Sequence, residues 1–143
     1  MKEFEDAFMS GINAARQVEY RKREIDSVLR EFSASLEMAT HGMLAIDIRS
    51  LGSQPTNVLR AFMGEATGRK SWIAVVVKEV PNKYEAIAEW RVSSDGYPVS
   101  ILTSGQESAC FDKVALQGEL AKLAASPAMG AAVVRLWGSA QEE

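Results

Sequence analysis

The sequence predicts an α+β fold: a long N-terminal helix, an antiparallel meander sheet of four or five strands, and two C-terminal helices packed on one sheet face. Three observations carry this. From residue 4 to residue 36 the apolar residues step alternately by four and three with no proline between them, which is the period of a helix. Between residues 43 and 111 they alternate with polar residues and turn residues punctuate them, as strands and hairpins require. After Asp112 the helical spacing returns.

The first element is the most regular. Phe4, Phe8, Gly11, Ala15, Val18, Lys22, Ile25, Leu29, Phe32 and Leu36 form a heptad seam, imperfect only at Gly11 and Lys22. The residues between them are mostly good helix formers. Gly11 is a candidate kink, because glycine costs about 1 kcal/mol against alanine inside a helix. His41 and Gly42 mark the stop: Gly42 takes the left-handed conformation that ends helices, and His41 sits in the last turn, where a cation complements the dipole. At about 1.5 Å per residue the seam runs roughly 50 Å, whereas the remaining residues make a body about 30 Å across. The helix therefore overhangs, and an exposed apolar seam needs company, most simply another copy of the chain. Residues 1–41 are accordingly an amphipathic, coiled-coil-like oligomerisation helix, 42–138 an α+β domain, and 139–143 a frayed acidic tail.

The strands follow in order. Leu44, Ile46 and Ile48 alternate with Ala45, Asp47 and Arg49, the pattern of a half-buried strand. A long, glycine-rich connection covers residues 50–70, with a helical turn expected at 58–63. Ile73, Val75 and Val77 share a face of the next strand, and Pro81, Asn82 and Lys83 break the run. Tyr84, Ala86, Ala88, Trp90 and Val92 then share a face of the third strand. Ser94-Asp95-Gly96 signals a hairpin, because Asp-Gly supplies the positive φ angles of tight turns. Residues 97–103 return, Ser104-Gly105 turns, and a short strand follows over 107–111.

The C-terminal part is helical again. Asp112 caps a helix that buries Val114, Leu116, Leu120 and Leu123. Ser126 caps the next, with Pro127 at the first helical position, where its missing N–H costs nothing. Met129, Val133, Leu136 and Trp137 give that helix its apolar side, and Gly138 ends it.

Composition narrows the function. With 143 residues, 47% of them hydrophobic and 24% charged, the chain is one globular domain's worth. Its net charge of −3 does not suit a general polyanion binder. Cys110 is the single cysteine, so no internal disulfide forms and a reducing compartment is implied. The first residues are acidic where a secretory signal would be apolar, and no stretch approaches the roughly 20 apolar residues of a membrane span. A cytoplasmic protein with no membrane partner is expected.

Tests for chemistry return little. The stretch GEATGRKS, residues 64–71, resembles a phosphate loop. Its glycines are one residue too close, Arg69 intervenes, and a strand rather than a helix follows. One histidine and one cysteine, His41 and Cys110, cannot assemble a zinc site, and no calcium-loop spacing occurs. No metal or cofactor is expected. Glu85 and Glu89 alternate with Ile87 on one face, a spacing at which two carboxylates could cooperate, but on a sheet surface they read first as partners of Lys78 and Arg91. No set of catalytic roles can be filled, so the chain is not expected to be an enzyme.

What remains is contact. The expected function is a non-catalytic protein-binding module of the inhibitor, immunity or adaptor type, binding another protein and itself. Phe4, Phe8, Ala15, Val18 and Ile25 are the candidate self-association residues. Arg69, Lys70, Trp72, Trp90 and Tyr97 are candidates for a foreign partner, since large amphipathic aromatics favour interfaces when exposed. The alternative is nucleic-acid binding through Arg16, Tyr20, Arg21, Lys22 and Arg23, tracking phosphates along a projecting helix. Against it, Glu19, Glu24 and Asp26 dilute the field, and Glu19 is spaced for an ion pair with Arg23.

Overall fold

A long helix, α1 (Lys2–Ala39), leads into strands β1 (Leu44–Leu51), β2 (Lys70–Val77), β3 (Val80–Ser93), β4 (Gly96–Thr103) and β5 (Gln106–Cys110). Helices α2 (Lys113–Ala124) and α3 (Pro127–Gln141) complete the chain. The computed structural model describes residues 1–51 and 70–141. The helical turn expected at 58–63, the candidate phosphate loop up to Arg69, and the last two residues lie outside the described residues.

Helix α1 is continuous through Gly11, and a Cβ added there would meet nothing within 4 Å among the described residues. Its end is a two-residue Schellman stop. Gly42 N–H donates to the Glu37 carbonyl at 2.7 Å and His41 N–H to that of Met38 at 3.4 Å. His41 itself takes the left-handed position, with φ 54°, so it lies beyond the last turn rather than within it. Thr40, almost wholly buried, donates from its hydroxyl to the Leu36 carbonyl at 2.9 Å and accepts from Leu44 N–H at 3.1 Å. One side chain thus closes the helix and starts the sheet.

The strands pair in sequence order, each antiparallel to the last. The turn from β2 to β3 comes earlier than expected, at Lys78 and Glu79, with Val77 facing Val80. Pro81, Asn82 and Lys83 fall inside β3 instead, in a stretch without register partners on β2. A proline there removes no ladder bond. A second irregularity, between Ile73 and Ala74, sets Ile73 against Ala88 but Ala74 against Ala86. Side chains of β3 therefore change face midway. Ala88 and Trp90 enter the core, while Tyr84 and Ala86, opposite Val76 and Ala74, lie on the other side. The single shared face read from the sequence does not exist, because a bulge shifts the parity.

All three helices cover one face of the sheet. Ile25 and Val28 of α1, Leu116, Leu120 and Leu123 of α2, and Met129 and Leu136 of α3 meet Ile73, Val75, Trp90, Val99 and Ile101 in one cluster. Each fully buried aliphatic side chain is worth roughly 1.5–3 kcal/mol. Both predicted caps form: Asp112 accepts from Ala115 N–H at 2.8 Å and Ser126 from Met129 N–H at 3.3 Å. Val114, expected inside, is exposed, since it sits two positions before Leu116 and so faces away from it on the helix. Helix α3 continues through Gly138 to Gln141, so the end expected at 138 is three residues short. Among the described residues, no helix is long and apolar enough to cross a membrane.

One contact fixes where α1 meets the body. Gly96 closes the β3–β4 hairpin with φ 100°, and a Cβ built there would lie 2.9 Å from Cβ of Arg21. One turn on, the Tyr97 hydroxyl donates to the Glu24 carboxylate at 2.7 Å. Burial and that carboxylate both raise the Tyr97 pKa. Replacing Gly96 with alanine adds a collision to backbone strain and should cost about 2–3 kcal/mol in denaturant unfolding. Gly105→Ala, with φ 83° but open space around it, should cost only about 1 kcal/mol. Equal losses would show that the helix does not press on the hairpin.

Candidate functional site

The projecting half of α1 is the most unusual surface of the molecule. Every residue from 1 to 17 is exposed, and Val18 is the first even half-buried. Phe4 stands 62% exposed, Phe8 73% and Ile12 44%. On a helix, positions 4, 8 and 12 drift slowly around one side, so these side chains form a continuous apolar stripe with Gly11 and Ala15 beside it. No described residue covers this stripe.

The seam predicted for self-association thus divides at the crossing point. Phe4, Phe8 and Ala15 are exposed, and Val18 is half-buried. Ile25 is 3% exposed and belongs to the core with Val28, so its side chain is spent within the chain and not offered to a partner. Ile12 and Met9 extend the exposed surface. The seam overlooked Ile12, although a scan at spacing four from Phe8 finds it. Phe111 and Val114 form another exposed apolar pair at the start of α2. Phe111 precedes the cap residue, where a hydrophobic staple to Leu116 is the usual fate, and its exposure is not legible from that pattern.

The basic run lies on the same projecting helix and its root. Arg16, Tyr20, Arg21, Lys22 and Arg23 are all exposed. Arg23 and Glu19 form the expected pair at 3.4 Å, and the stem of Arg21 lies against Gly96.

The residues proposed for a foreign partner scatter. Arg69 lies outside the described residues. Lys70 is exposed at the start of β2, while Trp72 is half-buried beside it. Trp90 is 5% exposed and serves the core, not the surface, because the β3 bulge turns it toward the helices. Tyr97 is half-buried and committed to Glu24.

The sheet face away from the helices carries an ordered set of charges. The Asp47 carboxylate holds Arg49 at 2.7 Å, and that guanidinium lies 5.2 Å from the centre of the Tyr84 ring. Glu89, only 7% exposed, faces Arg91 at 3.3 Å and Lys70 at 4.0 Å. A carboxylate so buried needs such partners. Glu85, by contrast, turns to the helix side and accepts from Arg135 of α3 at 2.6 Å, which raises the Arg135 pKa. The two acids that sequence spacing placed together lie on opposite faces and cannot act on one substrate.

Between α1, α2 and α3 runs an apolar groove of about 520 Å³, walled by Val28, Phe32, Leu36, Leu120, Met129 and Val133. Among the described residues that line it, Glu31 is the single ionisable one. Cys110 is fully buried; its thiol pKa is raised by burial first and by Glu119 and Asp112 second. That is the environment of an inert thiol, not of a nucleophile. Among the described residues, no three His, Cys, Asp or Glu gather as a metal site would require. Set against protein-family models, curated proteins and solved structures, the chain matches none.

The C-terminal end of α1 is tied to the sheet by an ion pair. Lys78, in the β2–β3 turn, reaches Glu37 of α1 at 2.6 Å. This hydrogen bond, outweighing partial desolvation, holds the Glu37 carboxyl below its ordinary 4.5. Since the folded value is depressed, the contact stabilises above about pH 4.5 and fades as pH falls through the folded value. An NMR titration of Glu37 should give a midpoint below 4.5, returning to the ordinary value in Lys78→Met. A midpoint unmoved by that substitution would contradict the pairing.

Proposed function

We infer that this protein acts by contact rather than by chemistry, as a small protein-binding module that self-associates through the projecting half of α1. The observation that supports this best is the stripe of Phe4, Phe8 and Ile12, open to solvent along a helix that its own body does not cover. Large apolar side chains displayed together on a soluble surface favour a partner, and a helix carrying them at spacing four presents them as one edge. The helix also lacks the support of packing over its first half. Most helical stability in proteins comes from packing of an apolar face, so association would stabilise the structure as well as hide the stripe. An inhibitor, immunity or adaptor role suits such a module, with the charged side chains around Lys70 and Arg49 offered to a foreign protein. Nucleic-acid binding through Arg16, Arg21 and Arg23 is less favoured, because Glu19 already answers Arg23 and the net charge is −3.

Light scattering should return a multiple of 15.6 kDa, and Phe8→Asp should reduce it to a single chain without loss of thermal stability in the body. A wild-type protein that stays one chain at high concentration would remove the reading.

A further inference from the structure

We propose that the projecting halves of α1 from two copies pair antiparallel, with Phe8 of each copy seated on Gly11 of the other and Phe4 on Ala15. This rests on the self-association reading and adds an orientation and a register to it.

The first argument is shape. In the heptad seam Phe4 and Gly11 occupy one kind of position, Phe8 and Ala15 the other. A parallel pair stacks like on like, Phe8 on Phe8 and then Gly11 on Gly11, one layer overfull and the next empty. Reversing one helix sets each phenylalanine against a small residue. Gly11 supports this independently. A Cβ built on it meets nothing within 4 Å among the described residues, so no contact with them calls for glycine, which is a poor helix former. A ring from a second copy, lying close to the backbone, does call for it.

The second argument is charge. In the same register, one flank brings Glu5 beside Arg16, Lys2 beside Glu19, and Met9 beside Ile12 of the other copy. Opposite charges meet and apolar meets apolar. Glu19, in contact with Arg23 of its own helix at 3.4 Å, would join a network of three charges.

The third is fit. With Phe8 level with Gly11, residue 18 of one copy is level with residue 1 of the other. The body presses on α1 from Arg21 onward, so the two bodies stand clear at opposite ends of the shared segment. The stripe and its flanking methylenes would bury on the order of 1,000 Å² across the pair, about what a specific interface needs.

Ser10 and Gln17 are exposed and outside these contacts, which suits them to single cysteine substitution and spin labelling; Cys110 is buried and stays unlabelled. In the antiparallel pair the two Gln17 positions are about 22 Å apart along the axis and the two Ser10 positions about 2 Å. Pulsed dipolar measurements should therefore give a Gln17→Cys distance longer than the Ser10→Cys distance by roughly 10 Å. Gly11→Leu should weaken the dimer by roughly tenfold or more through overpacking, while raising helix content. Equal distances at both sites, or a dimer untouched by Gly11→Leu, would overturn the antiparallel register and leave self-association standing. Labelled protein with no dipolar signal and the mass of one chain would overturn both.

Discussion

The architecture depends on one close approach, that of α1 to the β3–β4 hairpin. Gly96 has no side chain and Arg21 passes directly over it. One turn on, Glu24 receives the Tyr97 hydroxyl. Downstream of this crossing α1 is a cover helix, giving Ile25 and Val28 to the core and Leu29, Phe32 and Leu36 to its margin. Upstream no described residue lies beneath it. The crossing cannot slide, because only a glycine in the left-handed region lets the helix so near. The length of the helix on either side then dictates what must be hidden and what is left over.

The sheet is organised around a second constraint, the bulge of β3. By shifting parity opposite Ile73 and Ala74 it sends Trp90 inward and Tyr84 outward along one strand. It also separates Glu85 from Glu89, giving the first to Arg135 on the helix side and the second to Arg91 and Lys70 on the other. Each acid ends beside cations. Buried or half-buried carboxylates are stabilised by such neighbours.

Much of this was legible in the sequence, and the division has a physical basis. Signals that act within a few residues were plain: the four-three stepping of α1, the Asp112 and Ser126 caps, and the Ser104-Gly105 turn, whose two residues both take positive φ. The projection of α1 was legible too, because it follows from length alone. Features set by neighbours distant in sequence were not. Pro81 looked like a break because a proline disfavours a ladder, yet the irregularity between Val76 and Val77 leaves residues 81–83 without partners on β2. Trp90 and Tyr84 looked alike because the separate bulge opposite Ile73 and Ala74 leaves no mark in the local pattern. Ile25 continued the seam without any mark that the body begins just before it. Val114 resembled a core residue until α2 found its angle to the sheet. In the candidate site, Phe4, Phe8 and Ala15 were found by period, while Ile12 was hidden by a seam drawn through Gly11.

On the proposed reading the first half of α1 holds its form by association. Amide hydrogen exchange of residues 4–15, followed over a range of protein concentrations, decides the point. Protection there should increase as concentration rises, while amides of α2 and the central strands keep constant rates. Exchange in residues 4–15 that ignores concentration, in a protein with the mass of one chain throughout, would contradict it.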